Sequence, residues 1–294
     1  VQFRKITIIG VGLLGGSIGL AARKNRVAKE IAGFVRSQKN ISDCEKFGAT
    51  DFATTDLLAA VSNSDLIILC TPLAQMLPLA KQFLPALKRD AIVTDVGSVK
   101  AGVVRELESF VQKSGAHFVG SHPMAGAEKT GVAAARENLF KNAVCVLTPT
   151  KKSSAAAVRK LEQFWKSLGA RVLKLAAAQH DLLVSRSSHL PHVVATTLAN
   201  LVLNPANPKT QAQLCATGFR DTTRIASGSP EMWRDIALAN RKNISRSVDA
   251  FVAELKKFQS ALKSGEANAL EKIFATAKSR RDNWCAKGGS TSSE

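Results

Sequence analysis

The sequence contains no tyrosine, and aromatic residues make up only 5% of it. A nucleic-acid binder concentrates basic residues on a groove or tail, often with aromatics between them. No such run occurs here, so a nucleic-acid partner is not expected. Apolar runs are short as well. None approaches the roughly 18–20 residues that span a bilayer, so no membrane association is expected. The chain enters a strand-like run at its first residues, and no signal peptide is expected to remain. The five cysteines (Cys44, Cys70, Cys145, Cys215 and Cys285) are odd in number, scattered and without a CxxC pair. That distribution excludes a disulfide scaffold or zinc ribbon and reads as reduced thiols in the cytoplasm. No His, Cys, Asp or Glu cluster has metal-ligand spacing, so no metal is expected.

Acidic residues are scarce too. The 23 Asp and Glu face 41 Lys and Arg over 294 residues, a formal charge of +18. Residues 1–178 hold 25 basic and 13 acidic side chains, net +12; residues 179–294 hold 16 and 10, net +6. A spread-out positive excess suits a small, strongly anionic ligand. With 45% apolar residues and a mean hydropathy near zero, the chain is globular and long enough for two domains.

The first half alternates strand and helix patterns. Strands are predicted at Lys5–Gly10, Ile31–Val35, Leu66–Thr71 and Ala91–Asp95, with helices at Ser17–Arg26, Leu73–Leu87 and Val99–Ser114. Near-continuous apolar strands fit a parallel sheet covered on both faces, so a doubly wound α/β domain is expected. Ala143–Leu147 and Arg171–Leu175 are read as later strands of that sheet, around a helix at Ala155–Leu168. From about His180 to Arg281 the pattern is helical, interrupted at Pro205/Pro208 and at Ser227–Pro230. The expected organisation is a Rossmann-type α/β domain over 1–178, an all-α domain over 179–284 and a disordered tail over 285–294.

Chemistry concentrates in a few segments. Gly10-Val-Gly12-Leu13-Leu14-Gly15 follows the first strand and opens the first helix. The first glycine permits the tight turn, the second lets backbone approach a pyrophosphate, and the third allows close helix–strand packing. At the end of the second strand an NAD site would carry an acid for the ribose 2′-OH. This chain has Arg36, Ser37 and Lys39 there, which favour a 2′-phosphate and hence NADP. Ser98, in Asp95-Val-Gly-Ser98-Val-Lys100, follows a strand and points either at the nicotinamide region or caps the next helix. The glycine-dense segment from Gly120 to Gly131 reads as a loop at a strand end, with His122 held by Pro123 as a proton acceptor or donor. His180 and His189 are read as packing or helix-terminal histidines.

Taken in order, these pieces make the chain resemble the prephenate/arogenate dehydrogenases of tyrosine biosynthesis. The matching segments are GVGLLG at 10–15, LCTP at 69–72, DVGSVK at 95–100, GSHPMAGAEKTG at 120–131, ENLF at 137–140, SHLPH at 188–192 and GFRDTTRIA at 218–226. The resemblance implies a Rossmann-type domain joined to a helical domain that mediates homodimerisation. It places the catalytic histidine at His122, its supporting serine at Ser98 and the carboxylate-binding arginine at Arg224. His192 falls in the substrate pocket, and Glu128, Asp221 and Trp233 near its mouth. Cys70, Thr71 and Pro72 are expected beside the cofactor.

The implied reaction is oxidative decarboxylation: hydride leaves the ring carbinol, carbon dioxide is lost and the ring becomes aromatic, with no metal needed. Substrate choice stays open between prephenate and arogenate. An acid reading the arogenate ammonium would be Glu128, Asp181 or Asp221. Two alternatives remain at this stage, another NADP-dependent dehydrogenase of β-hydroxy acids or imines, and a non-catalytic dinucleotide sensor.

Overall fold

The structure is a computed structural model that describes residues 2–126 and 129–286. Strands β1 (Phe3–Ile9), β2 (Ala28–Phe34), β3 (Phe52–Thr54), β4 (Leu66–Leu69), β5 (Ile92–Asp95) and β6 (His117–Phe118) form one sheet in the order β3-β2-β1-β4-β5-β6. Every pairing in it is parallel. Helices α1 (Leu13–Lys24), α2 (Gln38–Phe47), α3 (Leu57–Val61), α4 (Leu73–Phe83) and α5 (Ala101–Gln112) connect the strands. The apolar runs are continuous because both faces are covered. Leu66 and Ile68 join Ile6 and Ile8 in one hydrophobic layer, while Ile67 and Leu69 join Ile9 and Val93 in the other. Each such side chain contributes about 1.5–3 kcal/mol on burial. The expected Rossmann-type domain is therefore present, with the strand order reversing between β1 and β4, where ligands bind in such sheets.

Two expectations need correction. The segment 120–131 begins as a strand, β7 (Gly120–Pro123), not as a loop. It pairs antiparallel with β8 (Val144–Thr148), which pairs parallel with β9 (Arg171–Lys174), so these strands form a second sheet instead of extending the first. Side chains end the first ladder. Thr94 Oγ1 donates to the Val119 carbonyl (2.7 Å) and Ser121 Oγ to the Asp95 carbonyl (2.6 Å). With those carbonyls satisfied, the chain leaves the first sheet at Gly120. An apolar run predicts a buried strand but does not name its partner.

Helix α6 (Ala155–Ser167) lies between β8 and β9. The rest is helical: α7 (Ala177–Val184), a π turn at Ser185–His189, α8 (Leu190–Val202), α9 (Lys209–Gln213), α10 (Thr217–Thr223), a 3-10 turn at Arg224–Ser227, α11 (Pro230–Ala239), α12 (Arg241–Ser264) and α13 (Ala267–Ala286). Both expected interruptions occur, and Ser229 caps α11 with Pro230 in its first turn. The domain boundary expected after residue 178 falls inside α7. Of the expected tail, Cys285 and Ala286 complete α13, whereas residues 287–294 lie outside the described residues. Among the described residues, no helix is long and apolar enough to cross a membrane.

Candidate active site

The glycine turn has the shape its sequence predicts. Gly10 has φ +95°, and a Cβ there would lie 2.9 Å from the Cys70 carbonyl oxygen. A Cβ on Gly15 would overlap the Gly10 carbonyl oxygen, so α1 approaches β1 as closely as only glycine allows. Around Gly12 nothing lies within 4 Å of that position, and its N-cap has no side-chain partner. The N-terminal amides of α1, starting at Leu13 and Leu14, thus face an open cradle that fits a pyrophosphate. Thr71 Oγ1 is buried there without a hydrogen-bond partner among the described residues, beside half-buried Cys70. Pro72 is exposed at the N-cap of α4. These features fit a dinucleotide. Arg36 and Lys39 are exposed after β2, whereas the Ser37 hydroxyl is engaged as the N-cap of α2, accepting from Asn40 N (3.3 Å).

The second group of residues surrounds His122, which is 7% exposed on β7. Its Nδ1 lies 2.8 Å from His180 Nε2, and His180 Nδ1 lies 2.8 Å from Asp181 Oδ1. Ser98 sits in the loop before α5, and its hydroxyl makes no hydrogen bond to another described residue. Nor does it cap α5. Asp181, from α7, does so instead: its carboxylate accepts from Lys100 N (2.7 Å) and Ala101 N (2.8 Å). Asn240 Nδ2 donates to the Asp181 carbonyl (2.8 Å) and lies 3.2 Å from His189 Nδ1. This saturation removes Asp181 from the acids that could read a substrate ammonium. His180 is not a packing histidine either, because it is the hydrogen-bonding neighbour of His122.

A fully buried ion pair braces this arrangement. Lys100 Nζ bonds Asp95 Oδ2 and donates to the Ser121 carbonyl (2.9 Å). Asp95 also accepts from Gly97 N (2.8 Å) and Ser121 N (3.3 Å), tying the end of β5 to the strand that carries His122. Burial lowers the pKa of Lys100 while Asp95 pulls it up. The same burial, with His180, Lys100 and His189 nearby, holds His122 well below the ordinary histidine range and therefore neutral. A neutral imidazole can accept a proton.

The helical domain supplies the other wall. His189, in the π turn, is pushed down to about 4 by burial, against the opposing pull of Asp181. Its ring meets half-buried Trp233 of α11 edge-on (6.1 Å), and Trp233 stacks on His192 of α8 at 3.6 Å. His192 Nδ1 donates to the Ser188 carbonyl (3.0 Å). Arg224 opens the 3-10 turn after α10, which packs against α8. It lines a cleft of about 410 Å³ with Arg220, Phe219 and Cys215. Asp221 is exposed on α10, and Glu128 lies outside the described residues.

Sequence reasoning brought His122 to the sheet edge but missed Asp95, Lys100 and the roles of His180 and Asp181. His180 and Asp181 are 58 and 80 or more residues from the groups they bond, so no local spacing signalled them. The acidic and basic ends of Asp95-Val-Gly-Ser-Val-Lys100 were the available hint of an internal ion pair.

Comparison with known proteins agrees with this fold. Residues 18–174 match the family described as prephenate dehydrogenase, nucleotide-binding domain, and residues 176–276 its dimerization domain. A prephenate dehydrogenase of Bacillus subtilis is 38% identical over 94% of this chain and 75% of its own length. A cyclohexadienyl dehydrogenase of Zymomonas mobilis is 33% identical over 95% of each. Among solved structures, prephenate dehydrogenase from A. aeolicus in complex with hydroxyphenyl propionate and NAD+ superposes with a TM-score of 0.89, at 31% identity over 95% of this chain and 98% of that one. The chain belongs to the prephenate dehydrogenase family of nicotinamide-dependent oxidoreductases.

Proposed function

We propose that this chain catalyses oxidative decarboxylation of arogenate and/or prephenate, giving tyrosine or 4-hydroxyphenylpyruvate, with NADP as the hydride acceptor. The observation that carries the reading is the neutral, buried His122 on β7, which Ser121 ties to the carboxyl end of β5, together with the open glycine cradle that follows β1. The relatives support both substrates, since their names include prephenate, cyclohexadienyl and, for a Synechocystis structure at 30% identity, arogenate dehydrogenase.

Gly10, Gly12, Leu13, Leu14 and Gly15 hold the pyrophosphate, with Cys70, Thr71 and Pro72 alongside. Arg36 and Lys39 face the 2′-phosphate, and Ser37 positions them by capping α2. When bound, the cofactor accepts hydride from the ring carbon that bears the hydroxyl. His122 takes the hydroxyl proton as that hydride leaves, and Ser98 lies on the neighbouring loop to orient the hydroxyl. Carbon dioxide is then lost and the ring becomes aromatic. The proton held on His122 returns to the ring oxygen, so the histidine ends the cycle neutral. Arg224 grips a substrate carboxylate with two parallel bonds, His192 and Trp233 form the wall of the ring pocket, and Asp221 lies near its mouth.

The enzyme acts as a homodimer in the cytoplasm. The match to a dimerization domain supports this, as do exposed Leu255, Leu262, Phe274 and Trp284 on α12 and α13. The test is His122→Asn. It should abolish turnover while NADPH still binds with its usual affinity. Retained turnover would remove His122 from the reaction.

A further inference from the structure

We infer that Asp181, acting through His180, fixes His122 in the tautomer that carries its proton on Nδ1 and leaves Nε2 bare. This rests on the reading of His122 as the base, and it identifies two positioning residues, neither of which touches substrate.

The argument is a chain of donors and acceptors. An ionised carboxylate can only accept. Asp181 Oδ1 lies 2.8 Å from His180 Nδ1, so that nitrogen carries the proton. A neutral imidazole has one N–H, which leaves His180 Nε2 as an acceptor. His122 Nδ1 lies 2.8 Å from it and must donate. Being neutral, His122 then has no proton on Nε2, the nitrogen that can receive one from a substrate hydroxyl.

The start of the chain is rigid. Asp181 is held by two backbone amides at the N-terminus of α5, and its own carbonyl is held by Asn240. Oδ1 cannot turn away from His180 without leaving the buried Lys100 amide unpaired, at a cost in stability. His180 is 0% exposed, so water does not compete for either ring nitrogen. The other charged or titratable groups around His122 are Asp95 and Lys100 from the β5–α5 connection, Cys145 from β8 and His189 from the π turn. The Lys100 ammonium disfavours a positive charge on His122.

Substitutions separate this role from simple packing. In Asp181→Asn, when the amide oxygen stays on Ala101 N, the amide nitrogen faces His180 Nδ1 and donates to it, which moves the His180 proton to Nε2 and forces the proton of His122 onto its own Nε2. A reversed tautomer of this kind costs a serine protease about 10⁴ in kcat. Here a fall of about 10²–10⁴ in kcat is expected, with substrate KM within about threefold, because the pocket wall is untouched. His180→Ala should lower kcat as well. His180→Gln places one donor and one acceptor on a planar group and should recover at least about tenfold of that loss. Adding His180→Gln to Asp181→Asn should recover kcat likewise, because the amide can turn to accept from His122.

The direct readout is the ring-nitrogen resonances of the full-length protein labelled with ¹⁵N-histidine, with His122→Asn used to assign His122. The expected spectrum has His122 protonated on Nδ1 and bare on Nε2 in wild type, and the reverse in Asp181→Asn. Wild-type His122 protonated on Nε2, or Asp181→Asn with the reversed His122 tautomer and wild-type kcat, overturns the inference. If Asp181→Asn does not fold, the wild-type spectrum decides alone. A spectrum as expected from an enzyme that turns over neither cyclohexadienyl substrate would sink the proposed reaction and leave the tautomer assignment standing.

Discussion

A methyl group added at two glycines of the same turn should have separable consequences. A Cβ on Gly15 overlaps the Gly10 carbonyl and lies 2.9 Å from Ile8 Cγ2, so α1 must move off β1. Overpacking of this kind costs about 1–3 kcal/mol, or a fall in Tm of about 2–10 °C for a chain of this size. Because the helix end moves with it, dinucleotide affinity falls too. A Cβ on Gly12 meets nothing within 4 Å, and its φ of −96° is open to alanine. Gly12→Ala should therefore melt within about 2 °C of wild type. The methyl would instead occupy the cradle and displace the pyrophosphate from the amides of α1. Losing one charge-assisted hydrogen bond is worth about 1.5–3 kcal/mol, so Kd should rise about 10- to 150-fold. Thermal melting and fluorescence titration with NADPH measure both quantities on the same samples. A Gly12→Ala protein that binds NADPH as wild type does would refute the reasoning, because the open space would then not hold the pyrophosphate.

Other perturbations test the frame around His122. Lys100→Met leaves Asp95 buried and unpaired, which should cost about 3–5 kcal/mol in urea unfolding; adding Asp95→Asn should return part of it, and a loss below about 1 kcal/mol would contradict the bracing role. Acid should weaken the fold through His122 and His189. Both have lowered pKa values when folded, so the unfolded chain binds more protons below its own pKa of about 6.5. Their stabilisation is complete above that pH and is lost as pH falls toward 4, at up to about 1.4 kcal/mol per pH unit for each. A urea midpoint unchanged between pH 7 and 4.5 would contradict it. Arg36→Ala should weaken NADPH binding by about tenfold and leave NADH binding unchanged; equal losses would show that Arg36 does not read the 2′-phosphate.

Much of the α/β half was legible because both its signals are local. Leu66–Leu69 is apolar at every position, and both faces of β4 are buried. GVGLLG names the turn that Gly10, Gly12 and Gly15 make. Pairing is not local. Val144–Thr148 has the same apolar character as the first sheet's strands, yet it joins β7, because Thr94 and Ser121 close the first ladder with side-chain bonds. The site divided along the same line. His122 stood out by its glycine-rich setting and Pro123, whereas the Asp181 carboxylate that caps α5 lies 80 residues downstream of the amides it accepts from. Ser98 was the residue that local capping preference favoured for that role, and a tertiary contact displaced it.

The central claim is tested most directly by steady-state reduction of NADP and NAD by the purified chain, with prephenate and arogenate assayed side by side. The proposed function predicts turnover of at least one substrate, and Arg36 and Lys39 after β2 predict faster reduction of NADP than of NAD. Absence of reduction with every combination, in a protein that binds NADPH, would contradict the account.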